Sequence, residues 1–351
     1  MFKSPISYLL IAATLFVASC TPEEESPKNE YEIPTTYNFE NVDYSGQSAR
    51  IQMLDSLGKL MRTSREGNAV SFSDLEAIYK NTSGTLFGSD KQLFDKTFEG
   101  DRQMFLDWMQ DLATISATGV AGEPGVAGVD GSYLFDSNGV ELEQVIMKGL
   151  MGAVLYYQAT TIYLGLDKMN VDNETVEPGK GTAMEHHWDE SFGYWGVPTD
   201  FPSNTEGIKF FGSYSNQRNE QIGTNQALMD AYLKGRAAIS NKDMAARDEA
   251  IDAVRANWEL IVAANVIHYI NGTLANIGDR PTRNHQWSEG YGFLLSLKYN
   301  DERKISLADW QTAMENMGTS PDALEVNDPN LLAVKNTLST IYGLDAVKDI
   351  L

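Results

Sequence analysis

The sequence predicts an all-α protein built from internally duplicated helix bundles. Three observations support this prediction. Apolar residues recur at helical spacing over most of the chain, and the alternation typical of strands is sparse. The pattern H-x-W-[DS]-E-[SG]-[FY]-G-[YF] also occurs twice, at a spacing of 99 residues. A repeat of this kind is typical of duplicated helical units that pack around a common core.

The N-terminus has the pattern of a lipoprotein signal peptide. Lys3 precedes an apolar stretch at residues 8–17, and about ten residues are too few for a helix that spans a membrane. The stretch is followed by Ala-Ser-Cys20, which resembles the bacterial lipobox, where the cysteine thiol receives a lipid. We therefore predict removal of residues 1–19 and membrane anchoring through lipidated Cys20. The alternative is an ordinary secretory signal with a cysteine nearby.

Composition limits what the mature chain can do. Cys20 is the only cysteine, which excludes a disulfide, a thiolate nucleophile and a cysteine-ligated metal. The formal charge of −22 for the full sequence becomes −23 once Lys3 is removed with the signal peptide, and it disfavours binding to nucleic acid or anionic lipid through general electrostatics. The predicted contact with a membrane is therefore the lipid at Cys20, and nucleic acid is not a predicted partner.

Residues 20–36 are predicted to be a flexible tether. They are polar, contain prolines and begin with an acidic run at residues 23–25. An acidic run just after a lipidated cysteine resembles the surface-export signal of Bacteroidetes lipoproteins. This resemblance implies an outer-membrane lipoprotein exposed at the cell surface, and the alternative is a plain solvated linker.

The body, residues 37–351, is predicted to be a succession of helices. A capping-box pattern starts one helix at Ser73, and Lys148 argues against a membrane span in the apolar segment that contains it. Gly149 and Gly152 in that segment allow another helix to approach closely. Apolar periodicity places the remaining helices at residues 48–63, 91–116, 140–166, 242–277, 282–299, 307–317 and 330–344.

A glycine-rich segment at residues 119–131 is predicted to be a flexible loop. Glycine occupies every third position there, as in collagen, but four triplets with one proline cannot sustain a triple helix.

Two repeated units, at about residues 140–196 and 242–299, contain the motif. Residues 186–194 align without gaps to residues 285–293. Upstream, four residues match at an offset of 112, namely Val154, Tyr157, Thr161 and Asp167 with Val266, Tyr269, Thr273 and Asp279. Each unit is therefore predicted to be a long helix, a loop and a motif helix.

Helical geometry defines the surface that each motif presents. At about 100° per residue, His186, Asp189 and Glu190 share one face of the first copy, with His187 on its flank. The tryptophan of each copy points nearly the opposite way, toward the core.

The second copy places His285, Ser288 and Glu289 on the corresponding face. Each copy thus offers an imidazole and a carboxylate one turn apart. In one interpretation, His186, His187, Glu190, His285 and Glu289 bind a metal such as iron or zinc, with Asp189 and Ser288 in support. In the other, each histidine donates to its glutamate as a structural contact between helices.

The chain resembles a known lipoprotein family in three stretches. Residues 37–47, with Arg50 and Met53 following, look like the opening of the family called domain of unknown function 4856. Residues 186–198 and 288–293 also resemble it. That family is similar to the imelysin-like surface or periplasmic lipoproteins. The resemblance implies a helical protein of two bundle-like halves, linked to iron uptake and once classed with metallopeptidases.

The imelysin metal motif, G-x-H-x-x-E, is matched only in part. His187 and Glu190 supply the H-x-x-E portion, but Glu185 stands at the glycine position. The second copy changes the spacing to His285 and Glu289. Whether His186 or His187 is the partner of Glu190 stays open at this point.

Three functions follow as alternatives. The leading one is a metal-binding, iron-linked uptake accessory protein, with an iron-uptake system as its partner. The second is a metallopeptidase with Glu190 or Glu289 as general base, although the chain contains no H-E-x-x-H helix motif. The third is a non-catalytic scaffold or partner-binding lipoprotein, in which the His/Glu pairs are architectural.

Overall fold

The computed structural model describes residues 1–2 and 31–351. The predicted signal peptide, apart from its first two residues, and the lipidation site Cys20 lie outside the described residues, as does the predicted tether up to residue 30. Residues 31–36, the end of that tether, contain no helix or strand. Everything below concerns residues 32–351, which form one unit.

Helices make up nearly all of the regular structure in residues 32–351. The α-helices are α1 Ser45–Arg62, α2 Phe72–Lys80, α3 Arg102–Ser116, α4 Leu142–Leu150, α5 Leu166–Met169, α6 Ala183–Gly193, α7 Phe211–Ile222, α8 Thr224–Ser240, α9 Met244–Ala275, α10 Arg280–Ser296, α11 Leu307–Met317 and α12 Pro329–Tyr342. Short 3-10 turns occupy Thr63–Glu66, Leu86–Gly88, Phe94–Lys96, Glu99–Asp101, Leu297–Tyr299 and Pro321–Ala323. The predicted all-α helix-bundle class is confirmed.

The one sheet of the described residues is small and antiparallel. It pairs β1 Gly128–Asp130 with β2 Tyr133–Phe135, in the register Gly128 to Phe135. The predicted loop at residues 119–131 is thus wrong at its end, because its last residues form a strand.

Two predicted helix starts differ from the structure. Helix α2 begins at Phe72 rather than at Ser73, and the hydroxyls of Ser71 and Ser73 lie 2.6 Å apart, so that neither caps the helix. The helix predicted at residues 91–116 begins only at Arg102. The reason is a tertiary contact, since the amide of Phe98 donates to the carbonyl of Ala153 (2.9 Å) and leaves the helical path.

The apolar segment predicted as one long helix is continuous but changes its winding. Helix α4 passes into π-helical turns at Met151–Tyr156 and Gln158–Tyr163. Here the predicted close approach of a second helix is confirmed. A Cβ built on Gly152 would lie 2.1 Å from Oγ and 2.8 Å from Cα of Ser296, so α10 packs directly against the glycine backbone.

Helix α9 forms the centre of the core and packs against α7, α8, α10 and α12. Trp258 and the aliphatic residues around it on this helix are fully buried. Burying one such side chain contributes about 1.5–3 kcal/mol relative to leaving it exposed.

The motif tryptophans tie each motif helix to a helix that follows it. Trp188 is buried and its Nε1 donates to the carbonyl of Tyr232 on α8 (3.0 Å). Trp287 is buried and donates to the carbonyl of Met317 at the end of α11 (3.1 Å). The predicted core position of both rings is confirmed.

A membrane span was not predicted for the body. Within residues 31–351, none of the helices combines the length and the apolar character that crossing a membrane requires.

Candidate functional site

The first motif lies on α6, whose start is fixed by a complete capping box. Thr182 Oγ1 accepts from the amide of Glu185 (3.2 Å), and Glu185 Oε2 accepts from the amide of Thr182 (2.8 Å). These bonds satisfy amides that a helix start leaves free. Glu185, the N3 residue of this capping box, therefore has a structural role.

Glu190 is the common acceptor of a polar cluster that joins three helical segments. Its Oε2 lies 3.0 Å from His187 Nδ1. Its Oε1 accepts from Gln47 Nε2 of α1 (2.9 Å) and from the hydroxyl of Tyr163, at the end of the π-helical turns (3.0 Å). The first motif thus connects α6 to α1 and to the π-helical turns at Gln158–Tyr163.

The electrostatics of this cluster keep Glu190 ionised. Burial raises the pKa of Glu190, but hydrogen bonds from His187 and Gln47 and the nearby charge of His186 outweigh burial and lower the pKa to about 2. A carboxylate with such a pKa is a weak base at neutral pH.

His186 is not the partner of Glu190. Its Nε2 lies 3.9 Å from Glu190 Oε2, beyond hydrogen-bond distance, whereas His187 is within it. His186 Nδ1 is buried and has no hydrogen-bond partner among the described residues. The two imidazoles are 24% and 17% exposed, so solvent reaches both.

Asp189 faces a different set of residues from its neighbour Glu190. Its Oδ1 accepts from the hydroxyl of Tyr37 (2.8 Å) and from Nε of Arg236 on α8 (3.0 Å). Burial is the largest influence and raises the pKa of Asp189 to about 7, although the charge of Arg236 acts against it. Asp189 thus joins Tyr37 and Arg236 in a buried hydrogen-bonded cluster.

The second motif lies on α10 and has different partners. His285 Nδ1 lies 2.5 Å from Oε2 of Glu141, the residue before α4. His285 Nε2 lies 3.5 Å from Glu289 Oε2, and the ring stacks on Tyr133 at 4.3 Å between centroids. Glu289 Oε1 in turn lies 2.9 Å from Lys148 Nζ.

Lys148 and Glu289 form a buried ion pair. Burial opposes the charge on both groups, but their mutual attraction prevails. The pKa of Glu289 is lowered and the pKa of Lys148 is raised. Both therefore stay charged, and Glu289 is held by a cation.

Further charged side chains of both signs surround this pair. Arg65 contacts both Glu141 and Glu143, and its Nη2 lies 2.6 Å from Glu141 Oε1. Arg62 Nε lies 3.2 Å from Glu143 Oε1. The carboxylates of Glu141, Glu143 and Glu289 are thus balanced by the cations Arg62, Arg65 and Lys148. The second motif is therefore part of a structural network between α4 and α10.

The remaining motif positions are also structural. Ser288 Oγ accepts from the amide of Glu141 (2.9 Å) and donates to the carbonyl of Asn284 (2.7 Å), which fixes the start of α4. Gln286 replaces His187 in the second copy and packs against Gly272 of α9. A Cβ added to Gly272 would lie 2.3 Å from Oε1 of Gln286.

The two motifs form separate clusters. The hydrogen bonds and ion pairs of His187 and Glu190 go to Gln47 and Tyr163, and those of the second copy go to Glu141 and Lys148. The sets have no residue in common. Across residues 31–351, no group of three or more His, Cys, Asp and Glu side chains is placed to hold a metal ion. The predicted five-residue metal set is therefore not assembled in one place.

Several residues that complete the clusters had no clear sequence signal. Gln47 lies 143 positions from Glu190, and Glu141 lies 144 positions from His285. Lys148 was the exception, because a lysine within an apolar helix needs a buried carboxylate partner.

His268, which aligns with Tyr156 in the repeat, is half-buried outside both motifs. Its Nδ1 accepts from Nη1 of Arg218 (2.6 Å). Burial, followed by the charge of Arg218, lowers the pKa of His268 and favours the neutral ring.

Comparison with known proteins identifies a family but no characterised relative. The sequence model of the family described as Domain of unknown function (DUF4856) matches residues 34–344. Searches of curated proteins and of solved structures find no match.

Proposed function

The chain belongs to the family described as Domain of unknown function (DUF4856), and we propose that it is a lipid-anchored, extracytoplasmic binding protein without a catalytic reaction of its own. In this proposal the lipid at Cys20 holds the body to the outer membrane, on the surface side. One observation supports it most directly. Glu190 and Glu289, the motif carboxylates, are both held by internal hydrogen-bond donors or cations.

The peptidase alternative is weakened by the same geometry. A general base needs a pKa near the working pH. The pKa of Glu190 is about 2, and that of Glu289 is also lowered, by the charges of Lys148 and His285. Neither carboxylate is suited to accept a proton from a metal-bound water.

A first experiment tests the structural role of the motifs. Glu190→Gln and His285→Ala should lower the free energy of unfolding by about 1–3 kcal/mol each, because each leaves buried polar partners unsatisfied. Lys59→Met, at an exposed lysine of α1, is the matched control and should change little. Hydrolysis of an unfolded protein substrate, sensitive to a chelator and abolished by Glu190→Gln, would overturn the proposal.

Metal binding at the first motif is a second candidate, favoured by the position of His186 and Glu190 one turn apart on α6. His186 Nε2 and Glu190 Oε2 are 3.9 Å apart and both side chains are partly exposed, so a shared ion would require them to move closer together, with water as further ligands. The second motif does not suit a metal, because Lys148 already neutralises Glu289. In this form the protein would act beside an iron-uptake system.

Metal content decides between the two candidates. The chain without residues 1–31 is purified without a histidine tag, incubated with iron or zinc salts, and analysed for bound metal. Near-stoichiometric metal that His186→Ala abolishes, and that His285→Ala leaves unchanged, supports the metal candidate. A folded protein without metal refutes it.

The anchor has its own test. Cys20→Ala should release the protein from the membrane fraction, and it should abolish incorporation of a labelled fatty acid. Protease treatment of intact cells should degrade the wild-type protein if it is displayed at the surface.

A further inference from the structure

A cavity of about 160 Å³ next to the second motif is lined by three aromatic side chains. Trp108 belongs to α3, whereas Trp287 and Tyr291 belong to α10, where the centres of their rings lie 5.1 Å apart. Trp287 is buried, and the other two rings are partly buried. None of the described lysine and arginine side chains lies over any of these three rings. The aromatic surface of this cavity therefore has no internal cation.

Asp136 is the one charged residue among those that line the cavity. Its Oδ1 accepts from the amides of Asn138 (2.8 Å) and Val140 (2.8 Å), and its Oδ2 lies 3.5 Å from Nδ2 of Asn138. All of these donors are neutral. Burial outweighs the hydrogen bonds and raises the pKa of Asp136, and the negative charge of Asp322 acts in the same direction. A cation bound beside Asp136 would therefore relieve an unfavourable burial.

The charged groups around Asp322 are already matched with one another. Asp322 Oδ1 lies 2.8 Å from Nε of Arg280 and 2.9 Å from Nη2 of Arg283. Arg280 Nη1 also lies 2.5 Å from Oδ2 of Asp130. Two carboxylates and two guanidinium groups thus balance in this network, and neither arginine forms an ion pair with Asp136. The cavity keeps the one negative charge of Asp136.

The cavity is open to solvent on one side and apolar on the other. Asn138 and Thr319 line it and are exposed, whereas Leu142 and Val145 line it and are buried. A dry cavity of about 150 Å³ holds a benzene molecule. A trimethylammonium group is no larger, so the cavity has room for one.

We propose that this cavity binds a small molecule that carries a quaternary ammonium group, with Asp136 as its counter-ion. The faces of Trp and Tyr rings attract cations, and Trp does so most strongly. The methyl groups of such a ligand match the apolar lining, and its charge matches the single carboxylate. A quaternary ammonium also has no N–H group that would need an acceptor, whereas a hard metal ion would need several oxygen ligands.

This inference names a ligand class for the proposed binding role, and so rests on that role. Its failure and the failure of that role are distinguishable. Absence of ammonium binding would leave the non-catalytic role intact, because peptidase activity tests that role separately.

The test measures the thermal unfolding of the purified full chain as tetramethylammonium chloride replaces sodium chloride at constant ionic strength. The wild-type protein should be stabilised in a saturable way. The neutral control is tert-butanol, which has a similar shape but no charge, and it should not stabilise the protein at the same concentrations. Choline and glycerophosphocholine present the same group as a free compound and as a lipid headgroup, and the tighter binder identifies the source.

Two substitutions separate the charge from the rings. Asp136→Asn keeps an oxygen that accepts from the two turn amides but loses the charge, so it should raise the dissociation constant about tenfold. Trp108→Leu should also raise it, by about fivefold, whereas Trp108→Phe keeps an aromatic face and should raise it less.

Asp107→Asn is the matched control, since Asp107 is an exposed carboxylate on α3 that does not line the cavity. It removes the same charge and should leave the dissociation constant of the wild type unchanged. Equal binding by wild type and Asp136→Asn would refute the site, as would equal stabilisation by tert-butanol and tetramethylammonium.

Discussion

Replacement of Arg236 by methionine should destabilise the protein more than any other single charge removal near the first motif. Arg236 is 1% exposed and pairs with two carboxylates. Its Nε lies 3.0 Å from Asp189 Oδ1, and its Nη1 lies 2.6 Å from Glu185 Oε1. The guanidinium also lies 5.1 Å from the centre of the Phe39 ring.

The magnitude follows from the charges that remain. Methionine fills much of the space of arginine but leaves Asp189 and Glu185 without a cation. Removing one member of a buried ion pair typically costs about 3–5 kcal/mol, because the remaining carboxyl must stay buried without a counter-ion or take up a proton. The contact with residues 37–40 is weakened as well, since Arg236 Nη2 donates to the carbonyl of Glu40 (3.3 Å).

Urea unfolding at neutral pH, followed by tryptophan fluorescence, measures this loss. The control is again Lys59→Met, whose surface pair with Asp55 should contribute less than about 1 kcal/mol. Adding Asp189→Asn to Arg236→Met should recover part of the loss, because one unpaired charge is then removed. A loss below about 1 kcal/mol for Arg236→Met alone would refute the reasoning.

Four further predictions follow from single residues. Because the pKa of Asp189 is raised from 3.8 to about 7, its contribution to stability is complete below about pH 4 and is lost as the pH rises through 7. Asp189→Asn should remove this pH-dependent loss when the free energy of unfolding is measured across that range. Glu190 has the opposite sign, with its pKa lowered from 4.5 to about 2. Its contribution is therefore present above pH 4.5 and lost as the pH falls toward 2, and Glu190→Gln should flatten acid unfolding in that window. Gly152→Ala should cost about 1–3 kcal/mol in urea unfolding, since its Cβ would meet the backbone of α10, whereas Gly278→Ala, with no atom within 4 Å, should cost little. Lys148→Met should cost about 3–5 kcal/mol, and a double-mutant cycle with its carboxylate partner should recover part of the loss.

The helical class and most helix positions were determined by the sequence alone. Apolar periodicity is a local property, so α9, α11 and α12 fell within two residues of their predicted bounds. The periodicity also predicted the buried motif tryptophans, and the glycines of the apolar segment predicted its close contact with another helix.

Where local signals competed with tertiary contacts, the sequence was misleading. Residues 94–101 have helical periodicity, yet the amide of Phe98 bonds to the carbonyl of Ala153 in a different helix. The capping box at Ser73 failed because Ser71 and Ser73 bond to each other. Helices α7 and α8 were not predicted.

The sequence alone also identified the motif residues, but only the tertiary structure decided their partners. Spacing along one helix showed that a histidine and a glutamate lie one turn apart, which is a matter of helical geometry. The choice of His187 over His186, the ion pair of Glu289 with Lys148 and the pairing of Asp189 with Arg236 depend on how helices distant in sequence pack together. That packing is set by the burial of the whole core, and no local pattern contains it.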